Sequence, residues 1–166
     1  MLQHLQQPEY VHVLLNPLPV YMTAAGVLAL TLAMLLHSRQ AQLVALIVIL
    51  VGCGAVWPVV EYGQASYDRV FAMSNHDAQQ WLNIHVKRAE QSAPVFYITA
   101  ALAMAAIMLP WKFPKTAPAL AAATLVFAIV AMGIGGWISH AGGQVRHSEF
   151  RAEPPVQSTE YHEHHH

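Results

Sequence analysis

The chain has 166 residues, 55 % of them apolar and only 10 % charged, with a formal net charge of −1. A soluble domain carries roughly 25 % charged residues, so this chain lacks the groups needed to cover a water-facing surface, and its near-neutral balance gives no electrostatic case for a nucleic-acid or acidic partner. Its one cysteine, Cys53, excludes a disulfide framework and an iron–sulfur cluster.

In chain order, a polar lead of residues 1–17 ends at Asn16-Pro17-Leu18-Pro19. Proline is tolerated in a first helical turn, where its missing N–H would be unpaired anyway, so a helix is expected to start there and run to Leu36. Uncharged Met1–Gln7 lacks the basic region of a cleavable signal, so this first apolar stretch is expected to be retained. The short turn His37-Ser38-Arg39-Gln40 forces an antiparallel neighbour over Ala41–Val60, which Trp57-Pro58 is expected to bend or end.

Residues 61–92 form the longest polar segment. Within it, Ala78, Trp81, Leu82, His85 and Ala89 share one face of an amphipathic helix over Asp77–Ser92, with Asp77 as its cap and Gln80 completing a capping box. This helix can run through Pro94 into the third apolar stretch, residues 93–110. A basic aromatic turn, Trp111-Lys112-Phe113-Pro114-Lys115, leads to the fourth, Ala117–Trp137, where Gly133, Gly135 and Gly136 offer a smooth packing face. Gly142-Gly143 is then expected to let the chain turn. The expected architecture is all-α: a four-transmembrane-helix up-and-down bundle in one domain, residues 1–151, with an amphipathic extension before helix three and a flexible tail over 152–166. The purity and spacing of the apolar runs favour membrane spans of about 20 residues over the buried helices of a soluble bundle.

Four crossings put residues 1–17, 61–92 and 139–166 on one face, and the turns 37–40 and 110–116 on the other. The short turns carry Arg39, Lys112 and Lys115 and no acid, so that second face is expected to be cytoplasmic and both termini periplasmic, in a bacterial inner membrane. None of the eleven histidines lies in the apolar stretches. His12, His76, His85, His140 and His147 fall on the terminal face, whereas His37 stands alone opposite. Neutral imidazole is the commonest ligand for transition metals and haem, and two rings on facing helices can hold haem iron from both sides. His85 is the leading candidate, on the apolar face one turn from Trp81. His12 and His147 reach the same level from either end of the chain.

The segments His12-Val13-Leu14-Leu15-Asn16-Pro17-Leu18-Pro19 and Gly142-Gly143-Gln144-Val145-Arg146-His147-Ser148-Glu149-Phe150-Arg151 resemble the opening and closing signatures of a family of uncharacterised bacterial four-helix membrane proteins. Those signatures read His-x-x-x-Asn-His-x-Pro and Gly-Gly-Gln-Ile-Arg-His-x-Glu-Ile-Arg. A proline-ended second helix (here Trp57-Pro58 to Gly63) and a polar helix with a central His (here His85) lie between them. The resemblance spans roughly residues 10–151 and implies the four-helix fold and a histidine site at one face. This chain has Pro17 where the family has its second histidine, which favours a site needing only two imidazoles.

The expected function is therefore a membrane-embedded b-type haem protein, acting in electron transfer or as a redox accessory subunit. His85 and His147 form the expected axial pair, with His12 as substitute. Trp81, Tyr62 and Trp137 are expected at the pocket edge. Glu149 or Asn16 is expected to orient a ring N–H, and Arg146 to pair with a propionate. The alternatives are a non-redox subunit packed in a larger respiratory or photosynthetic membrane complex, and a copper or zinc site of His12, His85 and His147 completed by Glu149 or Glu90.

Overall fold

Proline placement, as much as apolar content, decides where the helices begin and break. The computed structural model describes residues 6–151; the tail expected at 152–166 lies outside the described residues. Six α-helices follow one another: α1 Pro8–Leu15, α2 Pro17–Leu35, α3 Arg39–Gly54, α4 Val56–Met73, α5 His76–Met108 and α6 Ala117–Arg146. Asn16 and Ala55, at the two internal breaks, keep right-handed helical dihedrals. The chain therefore makes four rods, Pro8–Leu35, Arg39–Met73, His76–Trp111 and Pro114–Arg146, each long and apolar enough to cross a membrane. The breaks have a simple cause. Pro17, Pro19 and Pro58 have no N–H for the carbonyls four residues earlier.

Several sequence expectations change. Residues 8–15, expected as a polar lead, are helical. Pro58 interrupts the second rod without ending it, because a proline in the first turn of α4 misses no bond that α4 itself needs. Most of the polar segment after Val60 is thus helix to Met73 rather than loop. Asn75, not Asp77, caps α5: its Oδ1 accepts the Ala78 N–H at 2.9 Å, while Asp77 sits in the first turn, where its charge complements the helix dipole. Gly142-Gly143 does not turn the chain; both lie inside α6, which runs on to Arg146. Pro94 is accommodated inside α5, as the single-rod reading anticipated.

The two turns of the basic face are tightly specified. At the end of α2 the His37 N–H bonds Met34 O and the Ser38 N–H bonds Ala33 O, a paired C-terminal motif that puts His37 at φ 52°. Ser38 then caps α3 through its hydroxyl. Across the bundle, Arg39 donates to Ala106 O at 2.8 Å. That carbonyl needs an outside donor, because Pro110, four residues on, has no N–H.

Inside the bundle small residues set the spacing. A Cβ on Gly26 would lie 2.5 Å from Ile49 Cγ1, and one on Gly52 3.0 Å from the Thr23 backbone nitrogen, so rods one and two touch nearly backbone to backbone. Ala103, Ala106, Ala121, Ala128 and Ala131 do the same for α5 and α6, around Leu30, Leu46, Ile49 and Phe96. Leu28, Leu32, Val44, Ile47, Ile98, Val126 and Val130 point outward and exposed, the surface a lipid bilayer covers. The chain is an all-α, multi-pass membrane protein.

Candidate functional site

Each rod exceeds the roughly 20 residues that a bilayer requires, and the excess lies on the face carrying the ends of the described chain. There α1, α4, the first half of α5 and the end of α6 continue the bundle beyond the apolar stretches. They enclose a cavity of about 1070 Å³. Its floor is apolar, with Val20, Val56 and Phe96 from the membrane-level helices. Its mouth carries Glu9, Arg146, His147 and Arg151. The walls are pinned by polar contacts: Arg69 pairs with Glu9 at 2.6 Å, tying α4 to α1, and the Tyr67 hydroxyl donates to Asn83 Oδ1, tying α4 to α5.

His12 on α1 and His85 on α5 both line this cavity as neighbouring rings. Their ring centres are 6.4 Å apart and their planes meet at 83°. Both rings are partly buried and anchored alike. His12 Nδ1 lies 2.9 Å from Val59 O on α4, and His85 Nδ1 lies 3.1 Å from Ile138 O on α6. A carbonyl only accepts, so Nδ1 carries the proton in both rings, and the neutral imidazole keeps its lone pair on Nε2. In His12 the Nδ1–Cε1–Nε2 edge of the ring lies along α4, and in His85 the Nδ1–Cε1 edge lies along α6. Two imidazoles that hold one metal ion between them, each at about 2 Å, have ring centres roughly 6 Å apart. The observed separation fits that arrangement.

The other predicted residues fall out differently. His147 also lines the cavity, yet its ring is exposed, lies 4.8 Å from the Phe150 ring and gives Nδ1 to Glu149 at 2.9 Å. Glu149 thus orients a ring N–H as anticipated. Its own backbone N–H and the His147 ring hold its carboxyl below the usual carboxylate range. Neither Glu149 nor Trp81, Tyr62 or Trp137 lines the cavity. Trp81 instead packs edge-on against His140, and Trp137 lies under the Arg88 guanidinium at 4.1 Å. Asn16 lines the cavity without taking a ring N–H; the carbonyls of Val59 and Ile138 fill that role. Glu90 accepts from Gln64 at 3.1 Å. Among the described residues no three His, Cys, Asp or Glu side chains are gathered closely enough to hold a metal ion. The His12 and His85 rings are neighbours, while His147 and Glu149 pair with each other.

The closing segment gains a local explanation. Arg151 donates through Nε to Gln144 O at 2.8 Å and through a terminal nitrogen to Val145 O at 3.2 Å, and Gln144 Nε2 donates to Phe150 O at 2.9 Å. Arg151 thus satisfies two of the last carbonyls of α6, which have no helical donors, while Gln144 holds the segment that follows. Arg146 is left exposed at the cavity mouth, with no ion pair among the described residues.

Sequence reasoning missed Gly63 and Gly142. A Cβ on Gly63 would meet His12 Cε1 at 3.0 Å, and one on Gly142 would meet His85 Cε1 at 3.1 Å. The only signal was a glycine in each of two otherwise helical segments. Comparison with known protein families, curated proteins and solved structures gives no match.

Proposed function

We propose that the protein is a b-type haem protein that exchanges single electrons at the face carrying its termini, the periplasmic face of a bacterial inner membrane. The observation that carries this reading is the neighbouring His12–His85 pair, each ring anchored through Nδ1, in a cavity with an apolar floor and a charged mouth. A bound haem would supply the one-electron chemistry. His12 and His85 would hold it, in place of the expected pair of His85 and His147. The carbonyls of Val59 and Ile138 fix the tautomer and would make each Nε2 a better donor. Val20, Val56 and Phe96 would exclude water from the floor, which with the ligands would set the potential. Arg146 would pair with an anionic edge of the group at the mouth.

The two-imidazole donor set and Pro17, in place of a further histidine, both favour haem over copper or zinc. On the opposite face only His37 is present, so electrons enter and leave on the same side, through a partner within a larger respiratory or photosynthetic complex. A second reading, a non-redox subunit of such a complex, is favoured by Gly133 and Gly136, where an added Cβ would meet nothing within 4 Å; the smooth face they leave on α6 suits a neighbouring helix.

The test is the visible spectrum of the full-length protein in detergent, expressed with ample haem. A sharp reduced α band supports the reading. A colourless protein holding stoichiometric copper or zinc replaces it with the metal site, and a protein holding neither leaves the structural role.

A further inference from the structure

We propose that Gly63 and Gly142 are positioning residues that lock the two imidazoles into one tautomer and at right angles to each other. This rests on the two-histidine reading above. The two rings sit in the same kind of seat on different helices. On α4 the carbonyl of Val59 takes the His12 proton, and Gly63 follows four residues later. On α6 the carbonyl of Ile138 takes the His85 proton, and Gly142 again follows four residues later. In a helix the side chain at i+4 stands over the carbonyl of residue i, because every Cβ leans toward the N-terminus. A side chain there blocks sideways approach to that carbonyl; a glycine opens it.

The distances bear this out on both helices. An added Cβ would lie 3.1 Å from His12 Nδ1 at Gly63 and 3.1 Å from His85 Nδ1 at Gly142. These contacts are not a general property of the helical glycines. At Gly54, Gly133 and Gly136 an added Cβ would meet nothing within 4 Å, and at Gly26, Gly52 and Gly135 it would meet aliphatic, aromatic or backbone atoms instead. Only the two histidine seats present an imidazole to the missing side chain. Each seat fixes its ring in two ways: the carbonyl sets the direction of Nδ1, and the helix surface at the glycine sets the plane. Because α4 and α6 approach the cavity from different sides, the planes come to rest at 83°. If the two rings held haem iron, the angle between their planes would govern how the iron d orbitals split, so the seats would set the electronic type of the site.

The experiment uses full-length protein in nanodiscs with nitrogen-15-labelled histidine, first free of haem. Wild type is expected to show the His12 and His85 signals, identified by His12→Phe and His85→Phe, protonated at Nδ1 and bare at Nε2, with His147, whose Nδ1 donates to Glu149, as a reference ring. Gly142→Val is expected to move the His85 signals out of that tautomer and leave His12 alone. Gly63→Val is expected to do the converse, and Gly136→Val to move neither. Where valine prevents folding, alanine gives the same readout, since its methyl makes the ring give by a few tenths of an ångström. Unchanged His85 signals in a folded Gly142 variant overturn the proposal. Loading with haemin then tests the angle: ferric wild type is expected to give the single large-g feature of perpendicular planes, and Gly142→Val a three-line rhombic spectrum. A rhombic wild type overturns the right-angle assignment. If wild type takes up no haemin, the haem reading falls, while the tautomer result still decides the seats.

Discussion

Replacing His85 with phenylalanine separates ligation from packing, because it removes both ring nitrogens while keeping an aromatic ring against Gly142. The loss in the haem-free protein is small. One hydrogen bond, His85 Nδ1 to Ile138 O, disappears, worth about 1 kcal/mol. Ile138 O is not orphaned, since within α6 it keeps the helical N–H of Gly142. The wider ring presses on a seat where an added Cβ would already lie 3.1 Å away, adding about 1 kcal/mol of overpacking. The ligand-linked term is larger. If haem binds as proposed, at 100 times its dissociation constant it would stabilise the folded protein by about 2.7 kcal/mol, and a variant lacking one of the two imidazoles would forfeit most of it. Denaturant unfolding in mixed micelles, followed by helical circular dichroism with and without haemin, reads both terms. Wild type should gain stability with haemin and a low-spin spectrum; His85→Phe should gain little and lose that spectrum. His147→Phe should behave as wild type, because His147 is 53 % exposed and bonded to Glu149. A low-spin spectrum retained in His85→Phe, or lost in His147→Phe, refutes the assigned pair.

Three further outcomes follow from the bundle itself. Arg39→Met should cost about 1–3 kcal/mol in the same unfolding assay, since Ala106 O then has neither the arginine nor, with Pro110 following, a helical donor; an unchanged midpoint refutes that role. His37→Gly should stabilise by about 1 kcal/mol, because φ 52° is strained for any residue with a Cβ; a destabilised variant would show that the ring makes a contact worth more than the strain. Gly26→Ala should destabilise by roughly 1–3 kcal/mol through the 2.5 Å clash with Ile49, and a neutral result would mean that rods one and two separate more freely than their packing implies.

The four rods were legible because a bilayer demands long apolar runs and leaves little room for ambiguity. What escaped is tied to particular residues. Pro58 reads as a helix end, yet the chain resumes within one residue, because a proline early in a helix deprives only the preceding turn. Gly142-Gly143 reads as a turn, since glycine is the usual helix stop. Here Gly142 is a gap for the ring of His85, a contact more than fifty residues away that no local pattern can report. The histidines were legible as a set at one face, and His12 and His85 both stood among the candidates. Their pairing was not. It depends on α1 lying against α4 and α5 against α6, which composition does not specify. His147 lines the cavity but is exposed and bonded to Glu149, and much of its signature is accounted for by the contacts of Gln144, Glu149, Phe150 and Arg151 at the end of α6.

The membrane also explains why the site lies where it does. A helix of 33 residues, such as α5, is about 50 Å long, against a hydrocarbon core of about 30 Å. The turns on the basic face are short, so nearly all the excess emerges on the other. Only there can four helices stay packed while carrying imidazoles, carboxylates and guanidinium groups without desolvating them in lipid. The cavity uses that freedom unevenly: its floor reaches back to Val20, Val56 and Phe96, while its mouth opens among charged side chains. If the cavity takes a planar, largely apolar group with an anionic edge, as proposed, that gradient would orient it before any ligand bond forms, its apolar edge toward the membrane and its charge toward Arg146, with His12 and His85 lining the space between.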